Sequence, residues 1–423
     1  MDANKAYWEL RSGKVDPYGL APLTRWIKPW PQWNPIWMHR AIIECCRYSW
    51  DENKAVSVGE WADHLRATRK KLASQWDTTL FGRGNSNKSF THYLTLCCLD
   101  AAVGDANLEP YQKLIAIYQE MAPDGCWREG IHYGLFCYDA IFRAWDLLNG
   151  VWPIHQRGAL IRCFLAHQEW LAVTKNHEGV WPAVGDGWPE SEVDLWIDIP
   201  TPRKFNAGEP ITIEYEDMTV HRNKDWVVIH NHRWSGPCYH EHCEGDGILV
   251  SYKGEWVLPG DGCPTWFRKV LAPWKWDRPK NHWGSLRSEE WPVFWRLFRR
   301  ELGWRTVELL RNGVIITDVL GEDVQWPTQN VPGIEFGMRL GVSHISNREF
   351  ADWKCGPLGF HVEAAAGIEA KVSHANVTTG YKKSKRVSAV RVRGQHMVTN
   401  VWAMDSPEAS GQFDPDGWLA SSS

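Results

Sequence analysis

The repeat of apolar residues changes once along this chain, and that change does most to limit its fold. Up to about residue 181, apolar side chains recur at steps of three and four, the repeat of one face of an α-helix. Ile36, His39, Ile42, Ile43 and Cys46 form one such stripe, and Trp61, Leu65, Leu72 and Trp76 form another. Leu135, Tyr138, Phe142, Trp145 and Leu148 form a third. The spacing predicts helices from Pro35 onward, including segments over 89–103, 110–121, 131–148 and 155–173. Their short Gly/Pro/Asn loops favour antiparallel helical hairpins. Ser57-Val-Gly-Glu60 has the spacing of a capping box and predicts a helix start. Beyond Pro210 the pattern becomes short β-rich runs, among them ITIEYEDMTV, WVVIHNH, GILVSY, EWVL, GVIITDVL and VSAVRVRG. Gly, Asn and Pro punctuate them at the spacing of an antiparallel β-sandwich. Helices followed by strands predict a multidomain α+β protein divided near 200–215. The expected parts are an irregular Trp/Pro-rich lead-in (1–34), a helical domain (35–205), a strand domain (206–405) and a polar tail (406–423).

The length of 423 residues accommodates two or three domains. A formal net charge of -4 gives no general bias toward nucleic acid. The 29 Trp suit a large core, and equally suit carbohydrate clefts in which flat rings stack on sugar faces. The 11 Cys are odd in number and include the adjacent pairs Cys45-Cys46 and Cys97-Cys98, with no CxxC. They read as reduced, buried thiols and not as a disulfide framework. The N-terminus lacks a basic-then-apolar signal pattern, and no apolar run approaches the ~18 residues of a membrane span. The expectation is a soluble chain, cytoplasmic as made, without a membrane or nucleic-acid partner. Its oligomeric state is left open.

Several constellations could carry chemistry. In Gly236–Gly262, His240 and His242 are two apart, so in an extended strand they share a face. Asp261 lies in a Gly-Asp-Gly loop after a turn at Lys253-Gly254, and Asn281-His282 follows. His, Asp and His form a ligand set for zinc or a similar divalent ion, with Cys238 and Cys243 as rivals. Polar loop histidines are the alternative, and spacing alone leaves both open. Asp124 to Tyr133 places Arg128, Glu129, His132 and Tyr133 at the start of a long helix, where anions are favoured. Alternatively Glu129 caps that helix and Tyr133 is core. Asn87 and His92 follow Gly84-Asn85-Ser86 at the mouth of another helix, where amides can bind a carboxylate or simply cap. Gly185-Asp186-Gly187-Trp188 offers a carboxylate and an aromatic ring in a turn. Lys382, Lys383, Lys385, Arg386, Arg391 and Arg393 could attract an acidic polymer, though a solvated edge strand protected from pairing accounts for them more simply.

The order of these pieces resembles the heparinase II/III-type polysaccharide lyases, including the related alginate and oligoalginate lyases. The pieces are Asp-Gly-x-x-x-Glu-Gly-x-x-Tyr, a Gly-Asp loop, a strand ending Val220-His-Arg, His-x-His, Lys-Gly-Glu-Trp-Val-Leu and Asn281-His282. The resemblance covers roughly residues 80–300. It implies an N-terminal incomplete α/α toroid followed by a C-terminal antiparallel β-sandwich, and β-elimination on an acidic polysaccharide or oligosaccharide containing uronic acid. It further implies Tyr133 as base and acid, Asn87 (or His92) neutralising the uronate carboxylate, Glu129 orienting the loop and His240 facing substrate. Arg128, His132, Asp186 and Trp188 would bind substrate. His242, Asp261 and His282 would hold a divalent metal, zinc first with calcium or manganese as alternatives, that braces the β-domain. The sequence departs from the family pattern in having Asn87-Lys88 where an Asn-His pair is usual, and in the placement of Asp261. Two other classes fit the same residues. A glycoside hydrolase on a related toroid would draw its two carboxylates from Asp124, Glu129 and Asp186. A non-catalytic carbohydrate-binding or virion-associated structural protein, released by phage particles or lysis, would keep only the scaffold.

Overall fold

The structure is a computed structural model that describes residues 1–28, 35–53, 58–76, 87–152, 154–184, 189–231, 247–258, 305–318, 322–328, 339–342, 348–380, 383–395 and 397–404. The chain forms two compact units. One comprises 1–129 with 133–170, and the other 130–132 with 171–423.

The first unit is helical. Its elements are α1 (Ala3–Arg11), α2 (Pro35–Asn53), α3 (Glu60–Trp76), α4 (Asn87–Ala102), α5 (Leu108–Met121), α6 (Ile131–Val151) and α7 (Ile154–Thr174, ending in the second unit). Helix α1 stands where the sequence predicts an irregular lead-in. Asp2 caps it by accepting Lys5 N at 2.8 Å, and Tyr7 and Leu10 are buried. Tyr7 Oη and Arg11 Nη1 each donate to Asp139 of α6 at 3.1 Å, and Arg40 of α2 donates to the same carboxylate oxygen. Asp2 is a local signal for a helix start, whereas the carboxylate 128 residues away that fixes Arg11 is not. Helix α3 begins at Glu60, so Glu60 is its first residue and not the third residue of a capping box; Ser57 lies outside the described residues.

In α6 the buried stripe runs through Leu135, Tyr138, Ile141, Ala144 and Leu148, while Phe142 is 48% exposed and stacks on Tyr138. Hydrophobicity marks a helix face only to within one position, and packing on the neighbouring helix selects the members. Seven cysteines, Cys45, Cys46, Cys97, Cys98, Cys126, Cys137 and Cys163, are free and buried, as expected. Burial pushes the Cys45, Cys46, Cys97, Cys98 and Cys137 thiols well above their ordinary range, which keeps them unreactive.

The second unit begins with a two-stranded ladder, β1 (Val180–Trp181) with β2 (Glu190–Ser191), and a one-turn helix, α8 (Glu192–Leu195). A five-stranded antiparallel sheet follows in chain order: β3 (Ile211–Glu214), β4 (Met218–Arg222), β5 (Trp226–Asn231), β6 (Gly247–Tyr252) and β7 (Glu255–Leu258). The remaining strands are β8 (Arg305–Leu309), β9 (Gly313–Asp318), β10 (Glu322–Thr328), β11 (Arg339–Val342), β12 (Glu349–Cys355), β13 (Leu358–Ala364), β14 (Ala366–Gly380), β15 (Lys383–Gln395) and β16 (Met397–Ala403). They make a six-stranded sheet, β11-β12-β13-β16-β9-β8, and a three-stranded sheet, β10-β15-β14. All three sheets contribute to one core, which includes Trp226 and Val250, Trp353 and Phe360, and Val390 and Val392. Each such aliphatic or Phe side chain withdrawn from water contributes about 1.5–3 kcal/mol. Strand β16 alternates strictly between buried and half-buried, as expected for a strand with one face on the core.

The turn predicted at Lys253-Gly254 is present. Both residues have positive φ, +47° and +84°, the geometry of a two-residue type I′ hairpin. Strand β15 departs from the edge-strand expectation. Arg391 and Arg393 lie opposite Gln325 and Asp323 of β10 on one side, and Lys371 and Glu369 of β14 on the other. Local sequence carries no information about β10, whose partner residues are some distance away in the chain. Among the described residues no helix is long and apolar enough to cross a membrane.

One ion cluster in this unit makes stability depend on pH. His361 Nδ1 lies 2.6 Å from Asp352 Oδ1, and its Nε2 lies 3.2 Å from Glu363 Oε1. Burial lowers the basicity of His361, but hydrogen bonds and charge from Asp352 and Glu363 outweigh it and raise the pKa above 6.5. The contribution is therefore complete below about 6.5, the unfolded value, and is lost as pH rises through the higher folded value. Thermal melts across neutral to mildly alkaline pH should show the gap between the parent and His361→Gln narrowing as pH rises. A constant gap would contradict a charged His361.

Candidate functional site

Residues of the first unit place Glu129 between two helices. The loop between α5 and α6 is tied down by Arg128 N donating to Met121 O at 2.8 Å and by Cys126 N donating to Asp124 Oδ1 at 3.0 Å. Gly125 has φ +98°, and a Cβ there would stand 2.3 Å from Ala166 O in the α7 backbone, so only glycine lets the loop approach that helix. Trp127, fully buried, stacks on His167 of α7 with ring centroids 5.5 Å apart. His167 Nδ1 and Tyr118 Oη of α5 are 2.9 Å apart. Burial pushes the His167 pKa down to about 3, so the ring is neutral.

Trp127 Nε1 donates to Glu129 Oε2 at 3.2 Å, and Asn87 N donates to the same oxygen at 2.7 Å. Asn87 is the first residue of α4, where helical amides are unpaired and the helix dipole favours negative charge. Glu129 thus caps α4 from 42 residues away. That frees the Asn87 side chain from capping. Its amide is buried, at 1% exposure, and neither Nδ2 nor Oδ1 has a hydrogen-bond partner among the described residues. A buried unpaired polar group costs about 1–3 kcal/mol, so an amide left in this state is suited to a ligand. Burial lowers the pKa of the neighbouring Lys88 ammonium, with the Glu129 charge opposing that effect.

Tyr133 is half-buried on the first turn of α6, and Arg128 is half-buried in the preceding loop. The residue after Tyr133 is Gly134, where a Cβ would meet Trp170 Cζ3 at 2.6 Å and Trp127 Cβ at 3.0 Å. The missing side chain lets α6 close on those two rings. His92 lies within α4 and not at its mouth. It is 1% exposed, edge-on to His39 at 5.6 Å, and burial together with the His39 and Arg69 charges holds its pKa well below the usual range. A neutral ring in that position cannot offset a carboxylate charge.

The second unit contains a separate pair. His132 Nδ1 is 2.7 Å from Glu190 Oε1, on β2. Glu190 is 9% exposed. Sequence spacing gives no indication of a partner 58 residues away, nor of His167 beneath Trp127. Asp186, Trp188, His240, His242, Asp261 and His282 lie outside the described residues. Among the described residues no group of three His, Cys, Asp or Glu side chains could hold a metal ion.

No family model matches the chain, and no curated protein matches it. Solved structures do. A heparan sulfate lyase from Pedobacter heparinus superposes with a TM-score of 0.52 at 11% identity, over 81% of this chain and 63% of the lyase. Heparinase III superposes with a TM-score of 0.54 at 12% identity, over 95% of this chain and 76% of that one. The chain therefore spans less than two thirds of the Pedobacter heparinus lyase. At these identities the likeness establishes the fold, a mixed α+β arrangement of helices and antiparallel sheets of the kind found in heparinase-type lyases.

Proposed function

We propose that the protein is a polysaccharide lyase that cleaves a uronic-acid-containing acidic polysaccharide by β-elimination. The observation that carries this reading is the buried Asn87 amide, freed from capping by Glu129 and without a protein partner among the described residues. A carbanion next to a carboxylate is too costly unless the carboxylate charge is neutralised. Asn87 and the amide end of α4 would do this. Ionised Tyr133 would take the proton α to the carboxylate as the C–O bond to the leaving group breaks and a C=C bond forms. The protonated phenol would then give that proton to the leaving oxygen. Arg128 and His132 would hold the acidic chain. On this reading the helical unit is an incomplete α/α toroid and the strand unit a β-sandwich, and the heparan sulfate lyase and heparinase III folds support both assignments.

The hydrolase alternative needs two carboxylates available to substrate. Glu129 is 1% exposed and engaged by Asn87 N and Trp127 Nε1, while Asp124 accepts a bond in its own turn. Glu129, so buried and engaged, is not open to substrate, and Asp186, the third candidate, lies outside the described residues. The divalent metal at His242, Asp261 and His282, with His240 facing substrate, is a proposal supported by sequence spacing alone. The test is incubation with a panel of uronic-acid polymers, with ultraviolet absorbance reporting the unsaturated product. New reducing ends without absorbance would establish hydrolysis instead, and binding without cleavage a carbohydrate-binding or structural protein. Metal analysis of the parent against His242→Ala checks the ligand set, and equal metal content would remove it.

A further inference from the structure

We infer that the Lys88 ammonium carries the positive charge that neutralises the uronate carboxylate beside Asn87, and so makes Lys88 the residue that selects the free acid over its ester. The inference rests on the lyase reading above. Asn87, Lys88, Glu129 and Tyr133 all belong to the first unit.

The need for a cation follows from the charges already present. Removing the proton α to a carboxylate places a second negative charge on that group, and positive charge aimed at it stabilises the transition state. The Asn87 amide can donate a hydrogen bond but carries no net charge. The amino end of α4 is equivalent to about half a positive charge. Glu129 already draws on it, because its Oε2 accepts Asn87 N at 2.7 Å. Glu129 is also 1% exposed, and it adds a buried carboxylate close to where an anionic group has to bind. Burial keeps the His92 ring neutral.

Lys88 is placed to meet that need. It follows Asn87 on the first turn of α4 and is half-buried. Successive helical residues leave the axis about 100° apart, a turn that the flexible four-carbon lysine stem can span. The Glu129 charge that holds Asn87 N also acts on the Lys88 ammonium, against the effect of burial. An ammonium partly withdrawn from water attracts an anion more strongly than one in bulk solvent. A lysine that served only as counter-ion to Glu129 would treat a charged and an esterified substrate alike, so the charge on the substrate separates the two roles.

The test uses the full chain and an oligosaccharide of the uronic-acid polymer that the parent cleaves, as the free acid and as its carboxyl methyl ester. The quantity compared is the ratio of kcat/KM on acid to kcat/KM on ester. Lys88→Met should shift this preference toward the ester by about tenfold or more, the worth of one charge-assisted hydrogen bond. Lys88→Arg, which keeps the charge, should stay near the parent preference. Partial misfolding lowers both rates equally and leaves the ratio unmoved, and Lys88→Gln repeats the measurement where Lys88→Met does not fold. An unchanged preference in the neutral variants, including an ester that neither they nor the parent cleave, would overturn the role of Lys88 while leaving the lyase reading intact. An equal shift in Lys88→Arg would do the same, by tracing the effect to shape and not to charge. Failure of the parent to cleave any uronic-acid substrate, as acid or as ester, would overturn both.

Discussion

Tyr133→Phe is expected to lower kcat on uronic-acid polymers by about 10²–10⁴-fold, the usual contribution of a positioned acid–base group. The protein should still fold. The substitution removes one hydroxyl from a half-buried ring on the first turn of α6 and leaves the closure over Gly134 untouched. Loss in kcat with little change in KM would mark a group that acts in the transition state. Asn87→Ala offers a companion measurement. A capping asparagine costs about 0.5–2 kcal/mol when replaced by alanine. Asn87 caps nothing among the described residues, because Glu129 does so, and removing its unpaired amide should lower turnover without loss of stability. Retained activity in Tyr133→Phe, or a marked drop in stability in Asn87→Ala, would sink the assignment of these roles.

Arg222→Met should destabilise the second unit by about 3–5 kcal/mol, with Arg222→Lys recovering only part of the loss. Arg222 is 1% exposed, and its guanidinium reaches four neutral acceptors. Nε donates to Phe205 O at 3.1 Å and Asn206 Oδ1 at 3.0 Å, and Nη1 to Val173 O at 3.0 Å and Lys175 O at 2.5 Å. Burial lowers its pKa to about 10, so it stays charged at neutral pH. Each acceptor left bare costs about 1–3 kcal/mol, offset in part because a charge no longer has to be buried. Lysine keeps the charge but cannot reach four acceptors in a planar fork. Urea denaturation monitored by tryptophan fluorescence measures the effect, and a change under about 1 kcal/mol, typical of a surface substitution, would show that the clamp is dispensable.

Local order was legible wherever it depends on neighbours in the chain. The helices expected over 89–103, 110–121, 131–148 and 155–173 appear as α4 to α7 with ends shifted by at most three residues. The Lys253-Gly254 turn and the buried thiols follow equally from residues close together in sequence. The order of motifs also pointed to the heparinase-type fold that the solved structures share.

What the sequence alone could not decide was which partner each polar group meets. Glu129 is a natural cap for the helix that follows it, yet its carboxylate serves α4 because the loop folds back over α7 through Gly125. Asn87 reads as a cap, and its amide is instead unengaged among the described residues. Helix α1 is anchored where Asp139 gathers Tyr7, Arg11 and Arg40, and β15 is internal because β10 pairs beside it. Hydrophobic periodicity is a property of consecutive residues, so it survives in the sequence. Hydrogen bonds and ion pairs act over about 3 Å and join residues far apart in the chain, so only the folded structure assigns them.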